Sequence, residues 1–179
     1  MGNLRHRNII FLFPVIMLGA CSSKPEKRTD EEVRALKEPL VEINKELVEM
    51  DEGRIKAYVQ RRNWNMKKSQ TGLWYMIYEH GNGDSAAIGK VAEIKFTISL
   101  LDGTVCYTSD SLGEKIFRIH LGNVETGLEE GILFMQEGDK ARFIMPPHLA
   151  HGLLGDRKKI PPRETILYDV ELINLYEPG

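Results

Sequence analysis

Hydrophobic side chains are spaced differently in successive stretches of the chain, and each spacing predicts a different element. Residues Ile9 to Leu18 form one unbroken apolar run. Further on, Leu36, Leu40, Ile43, Leu47 and Met50 recur at steps of four and three, the repeat of one face of an α-helix. Thr29 with Glu32 three residues later has the form of a capping box, which marks where that helix begins. Pro39 lies within the stripe, so either a short helix precedes a second one, or Pro39 occupies the first turn of a helix reaching about Arg62. Ile55, Tyr58 and Val59 prolong the apolar face. Such a stripe ordinarily packs on its own domain; a seam to a second copy, or a surface that grips other chains, uses the same residues.

From Gly72 the period changes from 3.6 to 2. Leu73 to Tyr78 is a β-prone run that stops at the turn cluster Gly81-Asn82-Gly83-Asp84. Ala92, Ile94, Phe96, Ile98 and Leu100 then alternate with Glu93, Lys95, Thr97 and Ser99, which predicts a strand with one dry and one wet face. Asp102-Gly103 signals a tight hairpin back through Thr104 to Thr108. Phe117, Ile119 and Leu121 alternate in a further strand, whereas Leu128, Ile132 and Met135 have helical spacing and predict the domain's only helix. Strands carrying Ala141, Phe143 and Met145, and Ile166, Tyr168, Val170 and Leu172, complete the pattern. The expectation is an α+β domain in which a curved antiparallel sheet of five to six strands wraps one short helix, preceded by a helical arm.

Charge alters this picture mainly by exclusion. With 24 Lys and Arg against 26 Asp and Glu among 179 residues, no field of one sign gathers nucleic acid, which is not an expected partner. The two cysteines, Cys21 and Cys106, lie in segments of different character and do not suggest a disulfide framework. Arg5, His6 and Arg7 ahead of the short apolar run read as an export signal. The run closes on Leu18-Gly19-Ala20-Cys21, which looks like a lipobox, with Cys21 as the acylated residue that holds the protein to a membrane outside the cytoplasm. The expected division is residues 1–20 signal, 21–28 lipidated cysteine and polar tether, 29–69 helical arm and 70–179 globular domain.

Several motifs in order give the domain a family likeness. Leu101-Asp102-Gly103, Phe117 to Leu121-Gly122, Val124 to Met135, Pro146-Pro147-His148-Leu149-Ala150-His151-Gly152, and Ile160-Pro161-Pro162 followed by Ile166 to Leu172 resemble the successive motifs of the FKBP-type prolyl isomerases. The lipobox and arm extend this to a resemblance with the gliding-motility-associated FKBP-like lipoproteins of the Bacteroidota. The resemblance implies a peptidyl-prolyl cis-trans isomerase acting on proline-containing client proteins in the cell envelope. The alternative is a catalytically weak domain serving as a peptide-binding chaperone or scaffold.

Rotation about an X-Pro bond faces a barrier of roughly 18–20 kcal/mol but breaks no bond, so the chemistry asks for no cofactor, metal or nucleophile. A dry aromatic pocket that favours the twisted amide suffices. The resemblance places the catalytic pocket at Phe96, Tyr107, Phe117, His151 and Tyr168, with Cys106, Val124, Glu125, Leu128 and Ile160 binding the substrate. It also marks departures: Leu128 stands where the family usually has tryptophan, Phe96 and His151 where it has tyrosines, Tyr107 where it has aspartate and Cys106 where it has phenylalanine. These imply a differently shaped pocket. His148 and His151, three apart in a loop, have no third ligand at a convincing spacing, and no metal site is expected. Cys106 reads as a small apolar filler.

Overall fold

The structure is a computed structural model that describes residues 29–177. The export signal and Cys21 fall outside the described residues, as do the side chains of Glu32 and Leu36. The chain divides into two units, residues 1–40 and 41–179. Among the described residues, the first contributes only the opening turns of helix α1 (Asp30–Arg61), and the second holds everything else.

Pro39 lies inside α1, between Asp30 and Arg61, which corrects both sequence alternatives. The helix ends where expected, and Asn63 just beyond it takes a left-handed φ of 52°. Strands β1 (Lys67–Lys68), β2 (Trp74–Glu79), β3 (Val91–Leu100), β4 (Val105–Thr108), β5 (Lys115–Arg118), β6 (Lys140–Met145) and β7 (Ile166–Tyr176) form one antiparallel sheet in the order β1-β2-β6-β7-β3-β4. β5 joins β3 at Val91 to Ile94, whereas β4 joins it at Thr97 to Ser99, so the one long strand serves two short ones in succession. Seven strands therefore replace the five or six expected, because β1 is only two lysines and has no apolar signature.

Besides α3 (Thr126–Ile132), the domain contains a single turn, α2 (Ser109–Leu112), and a 3-10 turn at Pro147–Leu149, so α3 is not its only helix. Neither extra turn has a helical apolar repeat; α2 buries nothing. The strand expected from Phe117 to Leu121 ends at Arg118, and His120 has a φ of 71°, which turns Leu121 outward.

Alternation along the central strands supplies both faces of the sheet. Phe143 and Met145 of β6, with Ile166 and Tyr168 of β7, face an inner core that includes Leu128 and Ile132 of α3. Ile144 and Leu167, the intervening residues, face an outer cluster made with Ile55, Tyr58 and Val59 of α1. α3 sits tightly against β6 because two of its residues lack side chains. A Cβ on Gly131 would lie 2.8 Å from the buried Phe143 ring, and one on Gly127 2.8 Å from Met145 Cγ.

The arm packs only in part. Ile55, Tyr58 and Val59 are buried, but Leu40, Ile43 and Met50 are 65%, 52% and 64% exposed, and Val41 and Val48 are exposed as well. The expectation that this stripe covers its own domain holds for the last turns of α1 and fails for Ile43 and Met50, with Leu47 between them half-buried.

Candidate active site

The ten pocket residues expected from the sequence lie in or beside the inner core. Phe96, Cys106, Phe117, Leu128, Ile160 and Tyr168 belong to the inner core, with Tyr107 and Val124 packed against them. Glu125 and His151 join through polar contacts to Tyr168 and to each other. β3 supplies Phe96, β5 supplies Phe117, the entry to α3 supplies Val124 and Glu125, β7 supplies Tyr168, and the loop after β6 supplies His151 and Ile160. A groove of about 440 Å³ opens here, lined by Phe117, Val124, Glu125, Ala150, His151 and Lys115 among others.

Leu128 is fully buried in the same core, and Phe96 and Tyr168 tilt at 41° with centroids 6.1 Å apart. Cys106 is buried, its Sγ 3.6 Å from the Lys159 carbonyl, and burial raises its thiol pKa, in keeping with a filler and not a reactive group.

The pocket is not simply dry. Tyr168 Oη donates to Glu125 Oε2 at 3.0 Å and accepts from Lys115 Nζ at 2.8 Å. His151 Nε2 lies 3.3 Å from Glu125 Oε1, and Lys115 Nζ lies 3.5 Å from Oε2. Burial by itself pushes the Glu125 carboxyl up, but the His151 hydrogen bond, the Lys115 charge and the Tyr168 hydroxyl together hold it down at about 2. The same Glu125 bond raises His151 above its ordinary pKa, and burial beside Glu125 raises the Tyr168 phenol. A carboxylate held between the Lys115 ammonium and the His151 ring thus stands against the aromatic walls, and Lys115 is the member of this group that the sequence reading did not name.

A second polar feature forms the rim. Tyr107 donates from its hydroxyl to Asp156 Oδ2, while the backbone N–H groups of Lys158 and Ile160 donate to Oδ1 at 2.8 Å each. Burial opposes ionisation of Asp156, but these bonds win and hold its carboxyl at about 2. Tyr107 stands where the resemblance expects an aspartate, and Asp156 brings a carboxylate to its hydroxyl from the loop. Sequence reasoning missed both Lys115 and Asp156. Lys115 carried one usable signal, its position two residues before Phe117 on β5, which puts the two on the same face. His148 and His151 have different partners: His148 Nε2 contacts the Thr71 carbonyl at 2.9 Å, whereas His151 Nε2 faces Glu125.

A seven-stranded antiparallel sheet packed on α3, with an aromatic cluster where strands, helix entry and loop meet, defines a class that comparison with known proteins makes specific. The family model of the FKBP-type peptidyl-prolyl cis-trans isomerases matches residues 83–173, and this chain belongs to that family. FK506-binding protein 2 of Yarrowia lipolytica is 34% identical over 115 residues, 64% of this chain and 80% of that protein. The FKBP-type peptidyl-prolyl cis-trans isomerase FkpA of Escherichia coli is 33% identical over 110 residues, which take in 62% of this chain but only 40% of the relative. The crystal structure of FkpA from Escherichia coli superposes with a TM-score of 0.63 at 27% identity, covering 86% of this chain and 76% of that one. The narrower likeness to gliding-associated lipoproteins stays an expectation from the sequence.

Proposed function

We propose that this chain is a prolyl isomerase of the cell envelope, and that its pocket at Phe96, Phe117, Leu128 and Tyr168 receives the proline of client proteins and favours their twisted X-Pro amide. The observation that carries this reading is that Phe96, Leu128 and Tyr168, from β3, α3 and β7, share one core with Phe117 of β5, which lines an open groove together with Val124, Glu125 and His151, in a chain of the isomerase family. Ring burial holds the proline. Preorganised donors and acceptors at the rim, His151 and Glu125 on one side and Tyr107 on the other, fix the flanking peptide. No proton or electron changes hands, so the depressed Glu125 carboxyl has an electrostatic and positioning role.

Placement in the envelope rests on Arg5 to Cys21, read as a lipoprotein signal, with Cys21 the acylated anchor and residues 22–28 the tether. The exposed apolar positions of α1 favour a second role for the arm, pairing two copies or gripping a client.

The decisive measurement is isomerisation of short X-Pro peptides by the soluble chain beginning after Cys21. Phe117→Leu is expected to lower kcat/KM by about tenfold while retaining a cooperative melt, since a Phe-to-Leu change keeps most of the buried volume. Undiminished rates in a folded Phe117→Leu and a folded Tyr168→Phe together would show that the site lies elsewhere.

A further inference from the structure

The rings assigned to the proline already have an occupant. Lys115 leaves β5 on the same face as Phe117, and its Nζ stands 5.0 Å from the Phe96 ring centroid and 5.4 Å from that of Tyr168, within reach of a cation-π contact. Its ammonium also donates to Tyr168 Oη at 2.8 Å and lies 3.5 Å from Glu125 Oε2. Phe96 and Tyr168 are 6% and 0% exposed, with the Lys115 stem and ammonium among the groups that face their rings. A proline ring stacked on these two side chains and an ammonium over them compete for the same space.

Removing Lys115 from the rings leaves Glu125 satisfied, because His151 Nε2 and Tyr168 Oη still reach its two oxygens. The ammonium itself is what loses partners. A neutral client returns it to water at the cost of the contacts it held. A client carboxylate beside the proline gives it a new partner in a half-buried groove, where a charge-assisted bond is stronger than in open solvent. A cationic client residue meets the Lys115 ammonium and fares worst. The lysine stem, flexible along four carbons, permits the swing.

We propose that Lys115 is a built-in plug of the proline site, and that it selects clients whose residue next to the proline carries a carboxylate. This rests on the isomerase reading for the identity of the pocket. Acidic X-Pro segments are then the preferred client class, and Lys115 is a specificity-determining residue.

The test uses the chain after Cys21, as wild type and as Lys115→Met, with short peptides that differ only in X as Glu, Leu or Lys. Both Kd by calorimetry and kcat/KM for isomerisation are measured. Wild type is expected to bind the Glu peptide about fivefold tighter than the Leu peptide, roughly 1 kcal/mol, with the Lys peptide weakest. Lys115→Met is expected to erase that order and to bind the Leu peptide more tightly than wild type does. The same order in both proteins, or uniform weakening of all three peptides by the variant, overturns the proposal. Lys115→Ala guards against methionine itself refilling the pocket. Binding that follows Lys115 without any acceleration would retain the plug and remove the isomerase reading. Acceleration with no Lys115-dependent order would retain the isomerase and remove the plug.

Discussion

One sheet has two helical covers, and they are built on opposite plans. α3 is seven residues long and buries five of them, two of which are glycines that bring it onto Phe143 and Met145. α1 is 32 residues long, yet in residues 41–61 only Asp51, Ile55, Tyr58 and Val59 are buried. The short helix has no existence apart from the sheet, since an isolated helix of its length is unstable in water. The long one uses its final turns as a foot. Asp51 accepts from Arg163 Nη2 at 2.6 Å, and Arg54 reaches Glu164 at 3.3 Å, so that foot is tied to the segment that follows Ile160 of the pocket. Length in sequence is therefore a poor guide to which helix matters for the core, and close approach is a better one.

The largest test of that contrast is truncation on each side of β6. Phe143→Ala on the inner face is expected to cost about 3–5 kcal/mol, and Ile55→Ala on the outer face about 2–4 kcal/mol, both as cavity-forming changes in buried sites. Chemical denaturation of the two variants measures this. If the outer variant proved the more damaging, the arm's foot and not α3 would be the principal cover. Gly131→Ala sharpens the point, because its new methyl would press on a ring that has nowhere to move.

How much of this was legible beforehand follows the same division. The inner face was readable because Ala92 to Leu100 alternate without interruption, Asp102-Gly103 announces a hairpin, and Leu128, Ile132 and Met135 keep helical spacing. β1 was not, since Lys67 and Lys68 owe their strand character to pairing with Tyr75 and Trp74. Nor was the limit of the arm's packing, because Ile43 and Ile55 are chemically alike and only the position of Ile144 and Leu167 decides which is covered. At the site, the aromatic residues could be placed one by one from the family's motifs. Glu125 and His151 could be placed with them, but the group they form with Lys115 could not be read, because Lys115, Glu125, His151 and Tyr168 meet only when β5, the entry to α3, the loop after β6 and β7 converge.

That convergence puts an acid-sensitive group on the inner face. Glu125 has its carboxyl lowered from 4.5 to about 2, so the stability it provides is complete above about pH 4.5 and is lost as pH falls toward 2. Integrated over that interval, the shift is worth at most about 3 kcal/mol. His151 acts in the opposite sense: its pKa is raised by Glu125, so its share is present below its ordinary pKa of 6.5 and is lost as pH rises through the higher folded value. Glu125→Gln should therefore flatten the acid limb of a stability profile and abolish the alkaline loss that belongs to His151. Denaturant midpoints for wild type and variant between pH 2 and pH 8 would show whether the two limbs disappear together. An unchanged acid limb would mean that other carboxylates dominate it.

The smallest expected effect on the folded domain is also the one that decides what the arm is for. Ile43 and Met50 are half or more exposed, so replacing both with Gln removes little packing, and the stability of a single copy should change by no more than about 0.5 kcal/mol. Yet they lie seven apart on α1, the repeat that sets one side of a helix-helix seam. If two copies pair along this face, the double variant Ile43→Gln, Met50→Gln sediments as a monomer at concentrations where the wild type sediments as a dimer, while hydrolysis-free assays of X-Pro isomerisation on short peptides remain unaltered. If the face instead holds clients, both proteins sediment alike, and only suppression of aggregation of a larger unfolded substrate falls in the variant. A variant equal to wild type in sedimentation and in aggregation suppression would leave this face with neither role, and the contrast between the two helices would then be one of packing alone.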